Sequence, residues 1–566
     1  MTRSAQAIGG TMLLWFMFAC GGDAPKTDTG GPAETPSTTT GSTPSGSTST
    51  GTTPTGVTST GTTPTGTTST GTTSTGTTPT GTTPTGTAGC GVVPDPTVAP
   101  APSAAVHLAW VFDLTATAPG DLTLTLDGAP LATRPAASSH AVPVLGLRPD
   151  TAHTVGWTLR CGDDVRSGSL PLVTPPLGLP WPDATVLTAG DVGLTLIDLQ
   201  SPGLADYIAV LHADGAPAWV LETNKVVDVR RDGDTLVAVE RFDVVRWDWL
   251  GAELSRHSPD PGPGDIEVDT YGFHHEVFPV DDGFVALSTS SQVIADYPAG
   301  YLGDATARAT VEDPLVVEVA DDGTVRARWS LLDLLDSTRV GWGSLDDAEL
   351  GLDWGHANAV VVHPSGDLVV SVRHQGAVVR FQRDGTLVWI LGDPGGWQAP
   401  WSDVLLAPVG APFAWPHHQH APMLHPSGDG RLLVFDNGNY GRVNPYGDLD
   451  DGLGNYSRLV EYRVGDGTVE QTWEYVDTST GALFASTFGD ADYVDSGTVL
   501  GVWGSLLSEG GVANEAAGLG RKSTRLIEVD PATDAVVWDL RLGSAAADAP
   551  EGWQVHRAER LDGFVD

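Results

Sequence analysis

The stretch HANAVVVHPSGDLVVSVRHQGAVVRFQRDGTLVWILG, residues 356–392, decides the fold. Four short apolar runs rich in Val are broken by HPSGD, HQG and RDGT. Runs this short, β-branched and bounded by Gly, Asp and Pro, read as the strands of a meander, because an amphipathic helix needs a longer periodic pattern. The same sentence recurs on both sides. Upstream it reads KVVDVRRDGDTLVAVERFDVVRWDW from Lys225, then HHEVFPVDDGFVALSTS and LVVEVADDGTVRARW between His274 and Trp329. Downstream it reads HAPMLHPSGDGRLLVFDNG from His420 with SRLVEYRVGDGTVEQTWEY, then DSGTVLGVWG with TRLIEVDPATDAVVWDL. A less regular first copy ends at Trp219. Trp219, Trp249, Trp329, Trp389, Trp473 and Trp538 mark six units, and repeated four-strand units that close radially predict a six-bladed β-propeller over residues 181–566. The six Trp side chains are read as packing groups between blades.

Ahead of the repeats the texture changes. VHLAWVFDLTA, DLTLTLDGAPL, HTVGWTLRC and SGSLPLVTP, within residues 90–180, predict a small all-β sandwich of immunoglobulin or fibronectin type that serves as a spacer. Cys90 and Cys161 frame it and are expected to form a disulfide if the chain is exported. Residues 20–89 are almost wholly Gly, Thr, Ser and Pro, and offer too little apolar surface to offset chain entropy, so they read as a disordered tether. Residues 1–19 carry Arg3 and the short apolar run Gly10–Ala19, the pattern of a signal peptide and too short for a permanent membrane span. The Ala19-Cys20 junction resembles a bacterial lipoprotein cleavage site, which implies a lipid on Cys20. Gly21 after it implies sorting to the outer membrane.

With 29 basic against 71 acidic residues the formal net charge is −42, which excludes a nucleic-acid partner in the absence of a basic patch. A small anion is still admissible where a few donors converge. In a propeller the blade-start residues line a common channel, and His356 stands ten residues before Gly366 as His420 stands before Gly430. His274 and His275 precede Gly283 by a similar interval. Three neighbouring blades are thus predicted to aim imidazoles at one mouth, beside Arg373 and Arg442. Arg matches a tetrahedral oxyanion with a planar fork of donors, and His donates, accepts or attacks. Two other readings stay open: a metal held by His residues, for which HHQH at 417–420 is a superficial signal, and a purely structural set that hydrogen-bonds blade edges. His363 and His425 read as turn residues.

The segments DWGHANAVVVHPSGDLVVSVRHQGAVVRFQRDGTLVWILG, HQHAPMLHPSGDGRLLVFDNGNYGR, YSRLVEYRV and VLGVWG together resemble the arylsulfotransferase family, over roughly residues 185–563. The resemblance implies a six-bladed propeller and cofactor-independent transfer of a sulfuryl group from an aryl sulfate to a phenol. It implies His356 with Asn358 as an H-x-N pair, His420 after Gln419 and Arg442 after D-N-G around the transferred sulfuryl group, and Arg373 in an S-x-R position; His420 and His356 are the catalytic candidates, with His420 preferred as nucleophile or base and Arg442 for sulfate binding. No metal is expected. The family's additional late histidine is missing: ALFASTFGDADYVDSGTVLGVWGSL contains none, and His556 lies in the closing segment, away from the place expected for a nucleophile. The competing reading is therefore a noncatalytic ligand-binding or adhesive propeller at the cell surface.

Overall fold

The hairpin that opens the decisive stretch shows how the sequence makes its strands. In the computed structural model His363 Nδ1 accepts from the backbone N–H of Ser365 at 3.1 Å, and the Gly366 N–H bonds back to the His363 carbonyl at 2.7 Å. Gly366 takes φ 91°, a conformation open to glycine at little cost. The turn delivers Ala357–Val362 against Leu368–Val372, and Ala377–Phe381 and Leu387–Gly392 complete an antiparallel sheet of four strands. His425 and Ser427 repeat the same turn in the next unit.

The structure describes residues 89–439, 455–478, 482–509, 512–513, 521–543 and 552–564. The predicted signal segment, Cys20, nearly all of the tether, and Arg442 lie outside them. The architecture is almost all-β, with one short α-helix at Leu331–Leu334 and 3-10 turns at Arg373–Gln375 and Trp401–Val404 among the described residues.

Between residues 183 and 561 the strands form six consecutive sheets. The first has Leu194–Ser201, Ala205–Leu211 and Pro217–Glu222. The second starts at Val226, the third at Phe273, the fourth at Ala357, the fifth at His420 and the sixth at Asp490. The chain ends interlock with this set: Ala558–Leu561 pairs with Leu194–Ile197 to supply the first sheet's missing strand, and Asp183–Thr188 adds to the far edge of the sixth. Side chains tie each sheet to the next. Gln200 Nε2 reaches the Val226 carbonyl, Asp228 accepts from Val277 N–H, Glu276 from Val360 N–H, Asn358 donates to the Gln419 carbonyl, and Asn437 donates to the carbonyls of Ala485 and Phe488. The sixth sheet returns to the first through Ala558 N–H on Asp490 and Trp538 Nε1 on the Ala213 carbonyl.

Six apolar cores accompany these links, one per seam. Val285, Leu287 and Val316 meet Val360, Val370 and Ile390 between the third and fourth sheets. Ile197, Leu199 and Ala209 meet Leu526, Trp538 and Leu540 between the first and sixth. Each fully buried Leu or Ile contributes ~1.5–3 kcal/mol. The Trp signature sits at these seams: Trp219 donates to the Trp249 carbonyl, Trp329 to that of Arg383, and Trp473 to the Asp534 carboxylate, each in the following sheet. Trp249 departs from the expected position. It follows the third strand of its sheet, Asp243–Asp248, while the fourth, Glu253–Ser258, carries no Trp.

The N-terminal strands join in one continuous sheet where a sandwich of two was predicted. Trp110–Leu126 is long enough to pair along its length with Ala129–Val144 while meeting Thr97–Pro100 at one end and Ala152–Cys161 at the other. Phe112, Leu114, Leu122, Val142 and Leu159 fill its core, and a disulfide joins Cys90 to Cys161. Val106–His107 leaves this unit to extend the outer edge of the first sheet.

Candidate functional site

The first strands of the sheets begin irregularly, and the irregularities hold the polar groups. Pairing is interrupted after His274, after Ala357 and after His420, and the residues displaced there include His275, Asn358 and Ala421. His275, His356 and His418 all take positive φ, at 59°, 47° and 53°. Non-glycine residues held in this way mark constrained sites.

The correspondence of His356 with His420, counted from the glycines, does not hold. The fourth-sheet hairpin closes at Val362↔Leu368 and the fifth at Leu424↔Leu432, a loop two residues longer. Counted from the strand ends, His356 matches His418, six residues before Val362 and Leu424, and Asn358 matches His420, four before them. HHQH is consequently not a strand with alternating faces. His417–Gln419 precede the strand, which starts at His420.

These segments bring the imidazoles together. Ring centroids of His275 and His356 are 5.0 Å apart, His356 and His374 4.8 Å, and His374 and His418 5.5 Å. His556, from the closing segment, lies 6.2 Å from His275 and 6.3 Å from His420. His274 and His275 face each other through Nδ1 atoms at 2.8 Å.

Hydrogen bonds settle which nitrogen carries the proton. Asn437 spends both amide hydrogens on the carbonyls of Ala485 and Phe488, at 2.8 and 2.7 Å, so its oxygen is the end that meets His420 Nδ1 at 2.6 Å. His420 Nδ1 is therefore the N–H donor, and Nε2 keeps its lone pair. Asp436 shapes the turn that places Asn437, accepting from the backbone of His417 and Gly438 while Arg458 donates to its other oxygen at 2.8 Å. Asp353 does the same for His356, whose Nδ1 donates to the carboxylate at 2.5 Å. His374 donates from Nδ1 to the Asp353 carbonyl and accepts at Nε2 from Arg373 Nη1 at 2.8 Å. Arg373 also donates to the Ser486 carbonyl, and its side chain is buried. Gly343, at φ 99°, admits the His374 ring: a Cβ there would come within 2.5 Å of it.

Donor atoms of Asp353, His356 and His374 lie within 4.8 Å of one another, close enough to hold a metal ion. The bonds just described put a proton on each imidazole nitrogen that faces Asp353, the reverse of what a cation requires. Burial lowers the basicity of this group. His274 is brought down to about 4 and His374 to about 3, while His275 and His420 lie well below the usual value. After burial, the charge of Arg373 is the next cause at His420. Asp353 is held below the carboxylate range because His356 and His374 outweigh the upward pull of burial. A neutral imidazole with a free Nε2, in a positive field, can attack an electrophile or take a proton.

A family model described as arylsulfotransferase matches residues 184–554, well over half of the chain. The chain belongs to the arylsulfotransferase family. Two arylsulfate sulfotransferases share this likeness. That of Escherichia coli is 26% identical over 54% of this chain and 58% of its own length, and that of Lelliottia amnigena is 29% identical over 35% of this chain and 40% of its own. The chain thus spans less than two thirds of the length of either relative. Among solved structures, a Bacteroides caccae protein of unknown function aligns with 62% of the chain at 11% identity and a TM-score of 0.36. An inactive virginiamycin B lyase variant from Staphylococcus aureus aligns with 64% at 9% and 0.26. Both scores are too low to identify a shared fold.

His274, His275, His356, Asn358, Arg373 and His420 all come from the converging segments, with Asn358 turned to the Gln419 carbonyl. Reading the sequence missed His374, Asp353, Asn437 and His556. His556 had a usable signal: if the chain closes on itself, the residues before its last strand must land beside the first sheet.

Proposed function

We propose that the six sheets are the blades of a propeller and that this arylsulfotransferase moves a sulfuryl group from an aryl sulfate to a phenol at the imidazole cluster, with His420 as the nucleophile. The observation that carries the reading is the lock of Asn437 on His420, which leaves Nε2 of a buried ring unprotonated. In the first half-reaction Nε2 forms a bond to sulfur as the sulfur–oxygen bond of the donor breaks, and the electron pair leaves on the phenol oxygen. In the second, the acceptor oxygen bonds to sulfur and the pair returns to Nε2.

Arg373 supports the transfer electrostatically. The charge that depresses protonation of His420 attracts an anion bound against it, and a buried guanidinium acts with little screening. His356 and Asn358 lie beside this point and complete the polar surround, with Arg442 and the His274/His275 pair as further anion contacts. The remaining sequence features fit a tethered envelope protein: a signal peptide ending at Ala19, a lipid on Cys20, and an extended linker before the N-terminal sheet.

The test is acceptor-dependent product formation. Purified protein incubated with 4-nitrophenyl sulfate releases no more than one equivalent of nitrophenol until a phenol is added, then turns over continuously, and the phenol appears sulfated. His420→Ala abolishes both while retaining the wild-type melting profile. Absence of acceptor-dependent product over a panel of donors rejects the reading.

A further inference from the structure

His556 is the least explained group in the molecule. It is 7% exposed, and neither ring nitrogen has a hydrogen-bond partner among the described residues. A buried polar ring without partners costs free energy, and such exceptions call for a functional reason. The fold nevertheless fixes it firmly. Its backbone N–H and that of Arg557 both donate to Asp198 Oδ1, at 2.9 and 2.8 Å, and Val555 N–H bonds to the Gly504 carbonyl. Phe488 packs edge-on to the ring at 5.3 Å, and His275 and His420 complete its border with the site.

Beyond the ring lies a buried network of charge drawn from four sheets. Arg557 stands 3.6 Å from Asp228 and Glu276, 3.5 Å from Asp490 and 3.4 Å from Asp492. Arg230 pairs with Asp228 at 3.4 Å and closely with Glu276. Burial, then the charge of Asp490, raises Asp492. At His556 burial disfavours the cation, Asp228 and Asp490 favour it, and Arg557 and Arg230 oppose it. An imidazole that alternates between neutral and charged suits this place.

Resting on the sulfuryl-transfer reading, we propose that His556 is the acid–base residue of the site, protonating the departing phenolate oxygen and removing the proton of the incoming phenol. The proton balance closes over a cycle. Neutral His556 takes the proton of the incoming phenol as the acceptor oxygen bonds to sulfur, and the imidazolium so formed returns that proton to the oxygen released when the next donor's sulfur–oxygen bond breaks. His420 then needs no proton transfer of its own.

The test is the dependence of rate on leaving group. Wild type and His556→Gln are compared with a series of aryl sulfates from 4-nitrophenyl to unsubstituted phenyl, at saturating acceptor. Because a good leaving group needs little protonation, the loss in the variant is expected to grow along the series, by about a hundredfold or more between the two ends. His556→Asn serves as a second variant. The ratio within one variant is insensitive to the fraction that folds. An equal loss for every donor overturns the acid–base role while leaving sulfuryl transfer intact. Inactivity of the wild type with every donor overturns both.

Discussion

In the proposed transfer His420 relies on a neighbour as well as on its own ring. Asn437, held by two carbonyls, chooses the tautomer, and a partner of this kind behind a functional imidazole is commonly worth tenfold to a hundredfold. Asn437→Ala should therefore lower kcat for sulfuryl transfer by about 10–100-fold with a smaller change in KM, and steady-state rates of the purified variant check it. An unchanged kcat would mean that the lock is irrelevant. The candidates His356 and His420 were legible because their surroundings repeat in sequence. Their true correspondence was not, because a hairpin two residues longer shifts any count taken from its far side. Asp353 and His374 carry no sequence signal of their own, and only the approach of their segments gives them meaning.

Strands and turns were the most legible elements, since short Val-rich runs between Gly and Asp leave few alternatives. Added edges were not. Val106–His107, Asp183–Thr188 and Ala407–Val409 are too short or too exposed for a pattern, and exist because an open edge accepts them. The seams between sheets are where stability is concentrated. Trp538 fills the seam at which the last sheet meets the first, fully buried and bonded to Ala213. Trp538→Ala leaves a large cavity there and should cost ~3–5 kcal/mol, measured as a lower denaturant midpoint. A loss below 1 kcal/mol would show that the seam contributes little.

For the molecule as a whole, a strongly acidic chain gathers six imidazoles of lowered basicity. His275, His374, His418, His420 and His556 are buried and His274 is half-buried, and burial is the first cause at each. An unfolded chain returns each to about 6.5. Above that value neither state binds the protons. Below it the unfolded state takes them up first, so stability falls as pH drops from about 6.5 until the folded groups titrate, near 4 for His274. Thermal melts from pH 8 to 5 should show the wild type losing Tm relative to His418→Gln below pH 6.5, a comparison in which buried carboxylates of raised pKa such as Asp492 cancel. A difference that stays constant with pH would contradict the buried neutral cluster. The direct test of the central claim is mass spectrometry, after a neutral denaturing quench, of the protein mixed with 4-nitrophenyl sulfate in the absence of acceptor. The peptide containing His420 is predicted to gain the mass of one sulfuryl group, with fragmentation placing it on that histidine and added phenol removing it. A stoichiometric label on another residue, or product formation with no label at all, would contradict the account.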